Sequence, residues 1–220
     1  MRFPDRKAAG RLLARKLAQY RDQRPLVLAL PRSGVPVAYE VARALGAPLD
    51  IVVAQRIWPP GRPELGIGAV APQITLVDRK TVAKLGITPR YLRLLVSELR
   101  LEMNTRLRLY RRGGRRRPRL AGRTVILVDD GLASGWTARA AIDSIRRARA
   151  RQVVLAVPVA SRAGLQLITP KVDACVCLHR PVRFRYVGDV YDDFSPTSDE
   201  EVVELLKRTR SWRGTGAGRA

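Results

Sequence analysis

Cysteine and histidine are almost missing from this 220-residue chain, which holds two of the first and one of the second. Cys175 and Cys177 sit on a short apolar segment, 174–178, that reads as a strand. Alternation there is expected to turn them to opposite faces, so they cannot easily bridge, and they read as small buried hydrophobes of a reducing compartment. The lone His179, at the end of that segment, is assigned no role. Long apolar runs are missing too. Nothing approaches the roughly 18 apolar residues of a membrane-spanning helix, and residues 1–10 are polar and charged where a secretory leader would be apolar. A cytoplasmic protein without a membrane partner is the expectation. Acidic residues are also scarce, 19 against 42 basic ones, for a net charge of +23.

A charge of that size ordinarily suggests nucleic acid. Only six of the 42 basic residues are lysine, however, and the arginines run along the entire chain. A general coding bias explains that as well as a binding surface does. The densest cluster, RRGGRRRPR at 111–119, has no aromatic residue interleaved for base stacking and reads as a solvated loop, with an RNA or polyanion patch the other reading. Nucleic acid is therefore a possible partner but not the favoured one.

The length suits one α/β core, taken as residues 1–210, with a glycine-rich tail at 211–220 that has no apolar periodicity and is expected to be disordered. Apolar runs at 26–30, 51–54, 125–128, 153–157 and 174–178 read as strands. Helical spacing marks 8–20, 35–45, 91–110, 136–149, 162–168 and 200–208. Strands and helices alternating in this way predict a parallel sheet with right-handed crossovers and its carboxyl ends along one edge. Ligands of such sheets bind beyond that edge.

The string VILVDDGLASGWT, 125–137, is the most informative on the chain. A doubly apolar strand runs into Asp129 and Asp130, and a small-residue turn follows, opening a helix whose first amides are free. Two carboxylates there suit sugar hydroxyls or a divalent ion, although an Asp after a strand also commonly caps a helix. Ser134, Gly135, Trp136 and Thr137 can wrap one phosphate with amides and hydroxyls. A second turn, LPRSG at 30–34, faces the same crevice and can hold another anion, or can be an ordinary tight turn using Gly34 for its backbone freedom. Arg56, read as ending the second strand, is placed for bidentate contacts to oxygens. The segment 58–70, WPPGRPELGIGAV, is too rich in proline and glycine to begin as regular structure and reads as a mobile lid, with a short strand or hairpin at its end.

These residues resemble the type I phosphoribosyltransferases, whose phosphoribosyl diphosphate (PRPP) motif has the same order of strand, two acids and [TS]-G-x-T turn. The resemblance extends over 26–203, including PELGIGAV and DFSPTSDEEV, and points to a bacterial family of unassigned acceptor. It implies a parallel sheet flanked by helices with a small hood at its carboxyl edge. It makes Asp129 and Asp130 the catalytic pair on the ribose, touching metal directly or only through water or ribose hydroxyls, and Ala133, Ser134, Gly135, Trp136 and Thr137 the 5-phosphate loop. Arg32, Ser33, Gly34 and Arg56 would bind diphosphate; Tyr186, Val187 and Asp192 would meet the acceptor. Mg²⁺ is the implied cofactor, PRPP and a small nucleobase-like or amine acceptor the implied partners, and a homo-oligomer the implied assembly. A PRPP- or nucleotide-sensing regulator, or an RNA-binding protein, could use the same fold. Three departures stand out. Gln55 replaces an arginine, Ala133 stands where hypoxanthine-type members carry an Asp base, and Trp136 fills a place usually held by a small residue.

Overall fold

The computed structural model describes residues 1–59, 61, 65–112 and 117–209. Its strands are β1 (Leu26–Ala29), β2 (Leu49–Ile51), β3 (Gln55–Ile57), β4 (Gly68–Ala71), β5 (Ile74–Val77), β6 (Thr124–Val128), β7 (Gln152–Val159) and β8 (Ala174–His179). Five form a parallel sheet in the order β2-β1-β6-β7-β8, and β3-β4-β5 form a separate antiparallel sheet. The helices are α1 (Arg6–Lys16), α2 (Gly34–Leu45), α3 (Arg79–Lys84), α4 (Pro89–Tyr110), α5 (Trp136–Arg147), α6 (Arg162–Ile168) and α7 (Asp199–Arg208). No described helix is long and apolar enough to cross a membrane.

Both faces of the parallel sheet are covered, which is why its strands read as unbroken apolar runs. Ile126 and Val128 of β6 join the cluster made with α1, α2 and α7, while Val125 and Leu127 join the cluster made with α5 and α6. All five residues of β6 are buried, so the strand that carries the acid pair is fixed from both sides. Leu30 donates its amide to the Val128 carbonyl at 3.0 Å, and β1 pairs with β6 from Leu26 to Ala29. The turn after β1 and the acids after β6 therefore lie side by side.

Several expectations are corrected. The run at 51–54 is not one strand: β2 ends at Ile51, and Val52 to Ala54 form a buried connection into β3. Burial, not strand geometry, explains those valines. Arg56 accordingly sits in the middle of an antiparallel strand, opposite Ala69, and does not end a parallel one. Cys175 and Cys177 share a face, because residues two apart on a strand always do; both pack on the α5 side, with Ala174, Val176 and Leu178 on the other. They are free thiols, as expected, but only half-buried, not buried. The first helix starts at Arg6, capped by Asp5 accepting from the Ala8 amide at 2.6 Å, and ends at Lys16. Helix α3, capped by Asp78, was not anticipated.

Of the expected lid, Trp58, Pro59 and Gly61 are described and Pro60, Arg62, Pro63 and Glu64 lie outside the described residues, as do 113–116 of the arginine cluster and 210–220. From Ile67 the segment joins regular structure: its amide bonds the Ile57 carbonyl, and β4 begins at Gly68. Gly68 has φ +158°, and a Cβ there would lie 2.1 Å from the Leu76 carbonyl oxygen, so the hairpin requires glycine. Arg111, expected in a solvated loop, is largely covered and pairs at 3.4 Å with the fully buried Asp50.

Candidate active site

At the carboxyl edge of the sheet a cavity of about 250 Å³ is walled by Pro31 and Ser33 from the turn after β1, Arg56 from β3, Asp129 and Asp130 after β6, Ala133, Gly135 and Thr137 from the turn into α5, and Val187. A larger cavity of about 600 Å³ lies under α4 against the far end of α5, where Ser144 and Arg147 line it. It has neither the acids nor the glycine turn. The acid pair and the glycine turn line the smaller one.

Asp130 is buried, and Asp129 is partly so. Burial and the neighbouring Asp130 push the Asp129 carboxyl well above the usual carboxylate range. Burial raises Asp130 as well, but Arg6 and the Ser33 side chain stabilise its charged form. Two carboxyls this close titrate as a pair, and Asp129 is the member that keeps the proton. The Asp130 amide donates to Asp129 Oδ1 at 2.9 Å, which fixes that side chain toward the turn.

Gly135 takes φ +82° as the residue before α5, a conformation that favours glycine. Its backbone turn leaves the first amides of α5 without helix partners. Ser134 Oγ is buried with no hydrogen-bond partner, and so is Arg56 Nε. Burial lowers the Arg56 pKa, with Asp129 opposing that effect, and the guanidinium lies 4.6 Å from the centre of the Trp58 ring. Gly66 makes room for it, since a Cβ there would lie 2.6 Å from Arg56 Cδ. Arg56 itself is half-buried and lines the cavity, whereas Ser134 does not line it; an unpartnered guanidinium nitrogen at the wall suits an anion.

Other expected residues are placed differently. Gly34 does not line the cavity; a Cβ would sit 3.0 Å from Asp129 Cα and 3.0 Å from the Val128 carbonyl oxygen, so it serves the close approach of the two segments. Arg32 also lies outside the lining, and its charge acts on Tyr110 and Glu200. Trp136 turns its indole to the α5 core cluster and does not narrow the cavity. Gln55 is buried, with Oε1 unpartnered. Val187 packs on Gly131, where a Cβ would meet it at 2.4 Å. Tyr186 is 56 % exposed, lies edge-on to Phe194 and does not reach the cavity. Asp192 is on the surface, paired with Arg2 at 2.8 Å. His179 ends β8 opposite Val159, and its carbonyl accepts from the Ala160 amide and the Cys177 thiol.

One residue was missed altogether. Arg6, at the start of α1, donates from Nε to Asp130 Oδ2 at 2.9 Å and from Nη1 to the Ser195 carbonyl at 2.8 Å. The only sequence signal was an arginine directly after the Asp5 cap, in a chain where arginine is everywhere.

The donor set also says what kind of cation would fit. Among the described residues no group of three or more acidic, cysteine or histidine side chains converges, and Arg6 already holds Asp130. Two carboxylates, one of them already held by Arg6, fit Mg²⁺, which keeps its waters and uses one or two carboxylates together with substrate oxygens.

The parallel sheet, the acid pair and the glycine turn at its carboxyl edge form one α/β site. A family model of the phosphoribosyl transferase domain matches residues 5–187, and the chain belongs to that family. It is 40% identical over 217 residues, 98% of its own length, to the Mycobacterium tuberculosis H37Rv protein named "Putative phosphoribosyl transferase Rv0571c". It spans about half, 49%, of that relative's length. Among solved structures, TT1426 from Thermus thermophilus is 38% identical, with TM-score 0.79 over 94% of this chain and 99% of that one. A Neisseria gonorrhoeae protein solved with bound ppGpp shares the fold alone, at 12% identity and TM-score 0.50 over 94% and 98% of the two chains.

Proposed function

We propose that this protein is a phosphoribosyltransferase that uses PRPP and Mg²⁺ to transfer the 5-phosphoribosyl group to a nucleobase-like or amine acceptor, releasing diphosphate. The observation that carries this reading is the convergence on one cavity of the acid pair, the glycine turn of α5 and the half-buried Arg56. The α5 amides, Thr137 and Ser134 would take the 5-phosphate. Asp129 and Asp130 would accept from the ribose hydroxyls, and ligand binding would draw the proton off Asp129. Arg56 and the Ser33 turn would hold the diphosphate, where a guanidinium stabilises charge that grows as the bond to C1 breaks. Mg²⁺, when bound, supplies further neutralisation of that leaving group. The residues before β4 would keep water out, which favours transfer over hydrolysis.

With Ala133 in the wall and Asp192 paired at the surface, neither of the two positions expected to face the acceptor presents a carboxylate as a base, so an acceptor that carries its own basic nitrogen fits best. The test is a panel of nucleobases and small amines with PRPP and Mg²⁺, read by diphosphate release, alongside calorimetry of PRPP alone. Release with one acceptor class supports the enzyme. Binding without release under any acceptor turns the reading into a sensor, and absence of binding refutes it.

A further inference from the structure

The beginning of the chain is fastened across the hood. The Phe3 amide bonds the Val190 carbonyl at 2.7 Å, and the amides of Asp192 and Asp193 return to the carbonyls of Phe3 and Pro4, each at 2.9 Å. From this strap Arg6 reaches Asp130. Its side chain is 9 % exposed, its guanidinium lies 4.0 Å from the centre of the Phe194 ring, and its two donors point one way to Asp130 and the other to Ser195. The Tyr191 hydroxyl meanwhile donates to the Asp130 carbonyl at 2.6 Å. Residue 130 is thus tied to the hood through its backbone and through its side chain.

We infer that Arg6 is a positioning residue of the active site: it sets the Asp130 carboxylate for the ribose and latches the hood segment 191–195 to it. This rests on the PRPP reading above. A competing role, in which Arg6 occupies the ribose site and must leave, fits less well. A carboxylate has about four lone-pair sites, and Arg6 Nε takes one on Oδ2, so acceptor capacity remains for hydroxyls. With Phe194 stacked over it, Arg6 also has nowhere to swing. Arginine is suited to this task because its planar fork serves two acceptors at once, which a lysine ammonium on a flexible stem does not do in a fixed geometry.

The experiment compares Arg6→Met, Arg6→Lys and Arg2→Ala with the parent chain, measuring PRPP affinity with Mg²⁺ by calorimetry and amide exchange at 191–195 without ligand. Arg2→Ala removes the strap's exposed ion pair with Asp192 and controls for general loosening. Arg6→Met should weaken PRPP binding by about 10-fold or more, the size of one lost hydrogen bond to a charged group, and should speed exchange at 191–195. Arg6→Lys should fall between, recovering part of the affinity but little of the protection. Arg2→Ala should match the parent in affinity. Unchanged affinity in a folded Arg6→Met protein overturns the positioning role, and unchanged exchange overturns the latch. If Arg6→Met does not fold, Arg6→Lys decides: parent-like values in both measurements overturn the inference. Should the parent chain bind no PRPP, the functional reading fails, while the exchange measurement still settles the latch by itself.

Discussion

Replacing Asp129 by Asn should stabilise the empty protein while weakening its hold on PRPP. In the folded chain burial and Asp130 raise the Asp129 pKa, so the native state keeps a proton that the unfolded chain gives up near the ordinary carboxylate range. Fewer protons bound in the unfolded state means that stability falls as pH rises. The favourable contribution is complete below the unfolded pKa, near 4, and is lost as pH climbs through the raised folded value. The slope reaches about 1.4 kcal/mol per pH unit for one proton. Asn removes this loss and keeps an oxygen for the Asp130 amide, which now bonds Asp129 Oδ1 at 2.9 Å. Thermal unfolding from pH 3.5 to 8 should show the two proteins alike at the acid end and the variant increasingly more stable above it, by about 2–4 °C for each kcal/mol. PRPP binding should move oppositely. One hydrogen bond to a charged acceptor contributes about 1.5–3 kcal/mol, so affinity should drop about 10-fold or more. A variant less stable than the parent at neutral pH, or a difference that does not change with pH, would refute the ionisation argument; unchanged affinity would remove Asp129 from the ribose site.

Gly34→Ala should lower stability by about 1–3 kcal/mol, the usual penalty for overpacking, because backbone lines two sides of the space a Cβ would enter, and denaturant unfolding reads the effect. Arg56→Gln should weaken diphosphate as an inhibitor of PRPP binding more than it weakens inorganic phosphate; equal effects on both would take Arg56 off the diphosphate. In a background with Trp136 and Trp212 both replaced by Phe, PRPP with Mg²⁺ should change Trp58 emission, since that ring lies on Arg56, and a silent signal together with unaltered exchange across 58–70 would make the segment a static connection. RNA should bind weakly, without sequence preference and with steep salt dependence; tight selection of one RNA over scrambled competitors at physiological salt would favour the regulatory reading.

The part of the site carried by contiguous sequence was legible. The string 125–137 dictates a strand, a charge pair and a glycine turn within thirteen residues, and all of its features sit where a parallel sheet puts them. What was not legible depends on meetings between distant segments. Nothing local distinguishes Arg6 from its neighbours, and its role exists only because the strap crosses the hood. Val52 to Ala54 look like a strand because a buried loop and a buried strand are both apolar, and Arg56 reached its place by a different route from the one expected. The hood was legible only in part: Val187 lines the cavity, but Tyr186 and Asp192 do not. The order of aromatic and acidic residues at 186–194 fits a base site, yet the rings of Tyr191 and Phe194 stack on one another and on Arg6, while Asp192 is held at the surface by Arg2.

The strap also fixes when the pocket can be finished. Arg6 lies 124 residues before Asp130 and 189 before Ser195, so its two bonds close some of the longest loops in the fold, contacts that form late because their closure entropy must be offset by structure already present. On a ribosome, the acids and the phosphate turn can settle against β1 once β6 and α5 have emerged, but the latch waits for the hood, almost the end of the described chain. Until then the growing chain holds the acid pair and the glycine turn without the strap across them, and a ligand that needs both would meet a complete pocket only after synthesis has passed Ser195.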